Sequence, residues 1–259
     1  MFFESHAHYD DLKFEQDRDT ILSSVKEQNI TKVINVAANM ASSLHCIELA
    51  KKYDFIYATV GVHPHDVGAM LEDDLETLIG LSAYDKVVAI GEIGLDYYYE
   101  NSPKEVQRLW FREQINIAKD IGLPIIVHSR DASKETYELI KDSRGYEVGG
   151  VIHCFSGSKE MAQAYVDMGF YIGVGGVVTY DNAKTLQEVV RAIPLKNILI
   201  ETDSPYLSPV PNRGKRNDSR NLQYVVKAIA KLKEISEEEV IKTTYDNGLK
   251  LFMGNSSNN

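Results

Sequence analysis

At 259 residues, 44% hydrophobic and 25% charged, the chain has the composition of a globular protein with a large core, which argues against a disordered or repetitive polymer. Its formal net charge of −10 excludes a protein that coats nucleic acid through bulk positive charge, but not an enzyme with a local basic patch beside bound cations. No apolar run reaches the ~18 residues needed to span a bilayer, no basic segment leads into an apolar stretch at the N-terminus, and Cys46 and Cys154 form no CxxC pair, so a cytoplasmic protein with reduced thiols and no membrane or obligate protein partner is expected.

Short apolar β-rich runs alternate with amphipathic ones. FFESH (2–6) precedes a helix over 16–28, with Ile21, Leu22 and Val25 at helical spacing. KVINVA (32–37) precedes a helix over 40–53, and YATVGV (57–62) follows it. VVAIGE (87–92) leads to a helix over 103–121, where Ser102 reads as the N-cap, Pro103 as the first helical residue and Gly122 as the stop. PIIVH (124–128), GVIHCF (150–155) and YIGVGG (171–176) alternate with helices over 131–142, 158–168 and 181–192. ILIET (198–202) is the eighth strand, and 217–252 read as two closing helices. Continuously apolar strands alternating with helices imply a parallel sheet covered on both faces. Eight such units predict an α/β fold of the (β/α)8 TIM-barrel type, one domain over 1–254 without a linker, followed by a disordered tail at 255–259.

Six of the seven histidines, at 6, 8, 63, 65, 128 and 153, fall at or just beyond the C-terminal ends of predicted strands, where barrel enzymes assemble their active sites. His45 falls mid-helix and reads as an exposed surface residue. In a strand, residues two apart share a face, so His6 and His8 aim at one point. Glu92, His128, His153 and Asp203 end strands 4, 5, 6 and 8, each an ionisable group in an apolar run that is costly to bury without a partner. Four imidazoles and two carboxylates suffice for two divalent metal ions, with Glu92 as the natural bridge. Mixed nitrogen and oxygen donors suit Zn, Mn, Co or Fe, while Mg prefers more oxygen.

The segments ESHAHYD, GVHPHD, GEIGLDYY, PIIVHSRDA, HCFSGS and ETDSPYLSPVPNRGKRN occur in this order along nearly the whole chain. Together they resemble the successive motifs of the TatD-type metal-dependent deoxyribonucleases, within the amidohydrolase-like barrel superfamily. The resemblance implies metal ligation by His6, His8, Glu92, His128, His153 and Asp203, the set that strand position also selects. Two departures stand out. The family's opening acid is usually Asp, here Glu4, which shifts its supporting contact, and its usual proline is here Ser219, which bears on loop rigidity.

This reading predicts hydrolysis of DNA phosphodiesters at ends or in single strands, with Asp203 binding metal and orienting or deprotonating water. DNA is expected to make local contacts only, at His63, His65, Arg130 and Tyr97 and at Arg213, Lys215 and Arg216 in the loop after strand 8; a solvated, salt-bridged loop is the plain alternative. His63 or His65 is a candidate acid for the leaving group. Tyr97, Tyr98 and Tyr99 offer either base stacking or simple packing, and Gly173, Gly175 and Gly176 either a phosphate cradle or room in the barrel mouth. The alternative function is a dinuclear-metal amidohydrolase or esterase acting on a small molecule. Such relatives often place a carboxylated lysine where this chain has Glu92. A third reading is a catalytically silent binding protein, which the intact ligand set disfavours.

Overall fold

The computed structural model describes residues 1–254. Its elements are β1 (Phe2–Ala7), α1 (Arg18–Glu27), β2 (Ile30–Asn35), α2 (Met40–Lys52), β3 (Ile56–Val60), α3 (Glu72–Ser82), β4 (Val87–Asp96), α4 (Lys104–Ile121), β5 (Ile125–Arg130), α5 (Ser133–Asp142), β6 (Gly150–Ile152), α6 (Lys159–Asp167), β7 (Tyr171–Val174), α7 (Lys184–Ala192), β8 (Ile198–Ile200), α8 (Leu222–Lys233) and α9 (Glu237–Phe252). The strands are parallel and follow chain order from β1 to β8, which is (β/α)8 barrel topology. The expected disordered tail, 255–259, lies outside the described residues. Internal contacts group the chain into two compact units.

One unit comprises 1–35, 154–167 and the chain from 171 onward. Here β7 pairs with β8 from Ile172↔Ile198 to Val174↔Ile200, and β1 pairs with β2 from Phe2↔Ile30 to Ala7↔Asn35. Polar bonds tie β1 to β8 and the segment after it: Ser5 Oγ donates to the Ile200 carbonyl, the Asp203 N–H to the His6 carbonyl, and the His8 N–H to the Ser204 carbonyl. Beneath β1, Gly248 of α9 lets the helix approach the Phe3 ring, where a Cβ would come within 2.5 Å of the ring. Gly173 and Gly176 are equally crowded. A Cβ on Gly173 would meet the Glu201 carboxylate at 2.6 Å, and one on Gly176 the Leu207 carbonyl at 2.4 Å. Close packing, rather than a phosphate cradle, accounts for these two glycines.

The other unit comprises 36–153 and 168–170. In it β3, β4, β5 and β6 pair in turn, and β4 is buried along its whole length. β4 runs four residues past the predicted end at Glu92, to Asp96, where it pairs with Arg130. Gly94 makes this possible with φ +143°; a Cβ there would collide with the His128 carbonyl at 2.0 Å. Two buried glutamines of α4 hold the ends of β3 and β4. The Gln114 side chain accepts from the Val62 N–H and donates to its carbonyl, and the Gln107 side chain does the same with Asp96. α4 buries Trp110, Phe111, Ile115 and Ala118 at helical spacing and stops at Gly122, whose φ of 72° is left-handed. Its start differs from expectation. Pro103 occupies the cap position, because the Ser102 hydroxyl accepts from the Gly68 N–H and donates to the His65 carbonyl. The sequence reading also missed α3, whose acidic first turn and Gly80 weaken its apolar periodicity.

Candidate metal centres

The first cluster forms where the end of β1 meets the segment after β8. His6 Nε2 and His8 Nε2 face each other at 3.1 Å, and Asp203 Oδ1 is 3.8 Å from the former and 3.4 Å from the latter. Ligands bonded to one ion at ~2.1 Å stand about 3.0 Å apart in octahedral and about 3.4 Å in tetrahedral geometry. The three atoms therefore have the spacing and chemistry of a half-built cation site. Asp203 is in the left-handed conformation, φ 56°, which aspartate tolerates better than most residues. Its own N–H on the His6 carbonyl and its carbonyl on the Tyr206 N–H lock that geometry.

Behind this cluster lies a polar network around Glu4. The Glu4 carboxylate is fully buried and accepts from the Thr202 N–H at 2.8 Å, the Thr202 hydroxyl at 2.7 Å and the His6 N–H at 3.3 Å. Ser219 also favours its charged form. Burial pushes the Glu4 carboxyl up to about 8 despite these donors. Ser219 in turn bonds the buried Tyr9 hydroxyl twice, through its own hydroxyl at 2.7 Å and its N–H at 2.9 Å. The loop whose rigidity the absent proline bears on is fastened at Ser219 by an N–H that proline lacks.

The second cluster forms at the ends of β3 to β6. Glu92 Oε1 lies 2.8 Å from His153 Nε2, 2.9 Å from His128 Nδ1 and 3.6 Å from His63 Nε2. The other nitrogen of His128, Nε2, reaches Asp96 Oδ2 at 3.1 Å. A metal-binding histidine characteristically donates its second N–H to a carboxylate, and His128 is set up for this, with Nδ1 turned to Glu92. Burial lowers the basicity of His128, but the Asp96 and Glu92 hydrogen bonds outweigh it and hold its pKa above the usual value, so the pocket favours positive charge. His63 is set up differently. Its Nδ1 accepts the His65 N–H at 3.1 Å, which leaves the proton of the neutral ring on Nε2, facing Glu92 as a donor. Burial foremost, then the neighbouring imidazoles, depress its pKa and keep it neutral.

Asp96 is the carboxylate of this cluster that the sequence reading overlooked. Its Oδ2 takes His65 Nε2 at 2.8 Å as well as His128, and its Oδ1 accepts the N–H groups of Tyr98 and Tyr99 at 3.0 and 2.9 Å. Burial acts to raise its pKa, but the bonds from His128, Tyr99 and His65 prevail and hold it well below the usual carboxylate range. Strand alternation puts Asp96 on the face of Glu92, a signal present in GEIGLD. Glu201, two residues before Asp203, was passed over too; it is buried and accepts the Cys154 N–H.

The predicted DNA contacts separate by partner. Arg130 lies over the Tyr98 and Tyr99 rings, and among the described residues its guanidinium makes no hydrogen bond or ion pair. Tyr97 is structural in its bonding: its hydroxyl donates to Glu135 at 2.6 Å. Arg216 forms a two-pronged pair with Asp17, and Arg220 another with Asp218, as the salt-bridged alternative anticipates. Arg213 lies over the Tyr180 ring, and Lys215 is exposed. His45 is exposed within α2.

Barrel topology with imidazole–carboxylate clusters at the C-terminal ends of its strands defines a metal-dependent hydrolase, and similarity to known proteins agrees. The sequence pattern of the TatD related DNases matches residues 3–253, and the chain belongs to that family. It is 43% identical to the uncharacterized metal-dependent hydrolase YabD of Bacillus subtilis over 97% of this chain and 99% of that one. It is 38% identical to the uncharacterized metal-dependent hydrolase YcfH of Escherichia coli K12, over 96% and 94%. The crystal structure of YjjV, a TatD homologue from Escherichia coli K12, superposes with a TM-score of 0.92 at 31% identity, covering 97% of this chain and 98% of that one. No helix among the described residues is long and apolar enough to cross a membrane.

Proposed function

We propose that this hydrolase cleaves DNA phosphodiester bonds at strand ends or in single strands, with a divalent cation held by His6, His8 and Asp203 and another by Glu92, His128 and His153. The observation that carries the reading is the His6–His8–Asp203 triad, whose three donor atoms lie 3.1 to 3.8 Å apart. Membership of the TatD related DNases supports the substrate class. When bound, such cations supply a water of lowered pKa and neutralise charge on the attacked phosphate and its leaving oxygen.

The chain's own residues do the rest. Asp203, fixed in its left-handed conformation, orients the attacking water and takes its proton. Asp96 turns His128 Nδ1 toward Glu92 and fixes the partly exposed His65 ring by accepting its Nε2–H. His63 presents Nε2–H beside Glu92, a donor for a phosphate oxygen. Arg213 and Lys215 serve the DNA backbone, whereas Arg216 is engaged by Asp17. Zn, Mn and Co suit the mixed donors; Mg is the oxygen-seeking alternative.

Metal-loaded protein is incubated with labelled single-stranded DNA, duplex DNA and, separately, cyclic amides and lactones. Cleavage of the single strand that falls by about 10²- to 10⁴-fold in Asp203→Asn supports the reading. Asparagine also tolerates the left-handed backbone, so the fold should survive, as circular dichroism will show. Turnover of the small molecules with none of DNA favours the amidohydrolase or esterase alternative, and an undiminished Asp203→Asn refutes the role of Asp203.

A further inference from the structure

The turn after β4 carries two large aromatic side chains outward. Tyr98 is 58% and Tyr99 55% exposed, unusual for rings whose backbone is so firmly held. Both N–H groups are fastened to Asp96 Oδ1, while Asp96 Oδ2 takes His65 and His128. One carboxylate thus fixes the aromatic pair relative to the second cluster. The two rings stand perpendicular, 4.8 Å apart, and the His65 ring meets Tyr99 edge-on at 5.4 Å. The Arg130 guanidinium lies 4.0 Å from the centre of the Tyr98 ring and 4.7 Å from that of Tyr99. Its N–H donors have no carboxylate or carbonyl partner among the described residues. Tyr97 is excluded from this group by its bond to Glu135 and the Lys104 ammonium over its ring.

An ordered pair of exposed rings offers π-faces to any base, and an arginine with all its donors available offers a fork for a phosphate. Bases within a duplex are stacked on each other and cannot use such rings. We propose that Tyr98, Tyr99 and Arg130 form a subsite of this same centre that seats an exposed base and its phosphate from single-stranded DNA. The proposal rests on the nuclease reading for its ligand but not for its test.

Binding of hydrolysis-resistant phosphorothioate strands to the metal-loaded protein is measured by fluorescence anisotropy, using oligothymidylate and an abasic strand of equal length. Stacking of one base is worth about 5- to 150-fold in affinity. The wild type should prefer the base-bearing strand by a factor in that range. Y98F/Y99F should keep the preference, and Y98A/Y99A and Y98L/Y99L should abolish it, since leucine preserves apolar bulk without a π-face. Arg130→Ala should flatten the salt dependence of binding by about one phosphate contact. Equal affinity of the wild type for the two strands, or a preference that survives in Y98A/Y99A, overturns the subsite. A tyrosine-dependent preference in a protein that cleaves no natural strand overturns the nuclease reading and leaves the subsite standing.

Discussion

Glu4 and Ser219 both depart from the residues usual at these positions in the family this chain resembles, and in this chain Ser219 stabilises the charged Glu4 carboxylate, so their substitutions should be coupled. Ser219→Pro removes the N–H and the hydroxyl that bond the buried Tyr9 hydroxyl at 2.9 and 2.7 Å. Leaving that group without partners costs about 1–3 kcal/mol. Proline is compatible with the first position of the short 3-10 turn at Ser219–Asn221 and returns about 0.4–1 kcal/mol through the unfolded chain. Glu4→Asp deletes one buried methylene, about 0.8 kcal/mol, and withdraws the carboxylate from Thr202 and Ser219, a further 1–3 kcal/mol. Each single variant forfeits the stabilisation that Ser219 gives the Glu4 carboxylate, but the double variant forfeits it once. Its destabilisation should fall short of the sum by about 0.5–1.5 kcal/mol. The assay is urea unfolding of the wild type and three variants under one metal concentration, compared at equal slopes. Additivity within about 0.3 kcal/mol would refute the idea that these two residues form one unit.

Other outcomes follow from the same geometry. Gly173→Ala places a methyl 2.6 Å from the Glu201 carboxylate and should destabilise the fold by about 1–3 kcal/mol in urea unfolding. Gly94→Ala, with φ +143° and a contact of 2.0 Å to the His128 carbonyl, should cost more than Gly173→Ala and disturb metal retention measured by elemental analysis; equal costs would contradict the packing described for β4. Arg213→Ala should raise KM for single-stranded DNA more than Arg216→Ala does, because Asp17 already occupies Arg216. Chelation should lower the melting temperature, by an amount equivalent to about 2.7 kcal/mol for each cation that had stood at a hundredfold excess over its Kd.

Local pattern was sufficient for much of this molecule and insufficient in definable places. All eight strands occur where apolar runs place them, because strands buried on both faces announce themselves by composition alone. The helix from Lys104 to Ile121 is similarly evident, from its apolar stripe to its glycine stop. Ser102 misled as a cap because its hydroxyl serves Gly68 and His65, partners that only the fold brings near. Glu4, Asp96 and Glu201 were undervalued for a related reason. Each satisfies its carboxylate with groups on other elements, Thr202 and Ser219 for Glu4, the two histidines for Asp96, and the Cys154 N–H for Glu201. His63 illustrates the limit of spacing arguments. Its position ending β3 resembles that of a ligand, and only the bond from the His65 N–H to Nδ1 identifies the facing nitrogen as a donor.

Anomalous scattering from crystals grown with Mn or Zn tests the central claim most directly, because it both identifies and locates the cations. The account predicts one ion bonded to His6 Nε2, His8 Nε2 and Asp203, and another bonded to Glu92, His128 Nδ1 and His153 Nε2, with His63 outside both coordination spheres. Fully loaded crystals with no ion between His6, His8 and Asp203, or with His63 Nε2 as a ligand in place of His128, would contradict it.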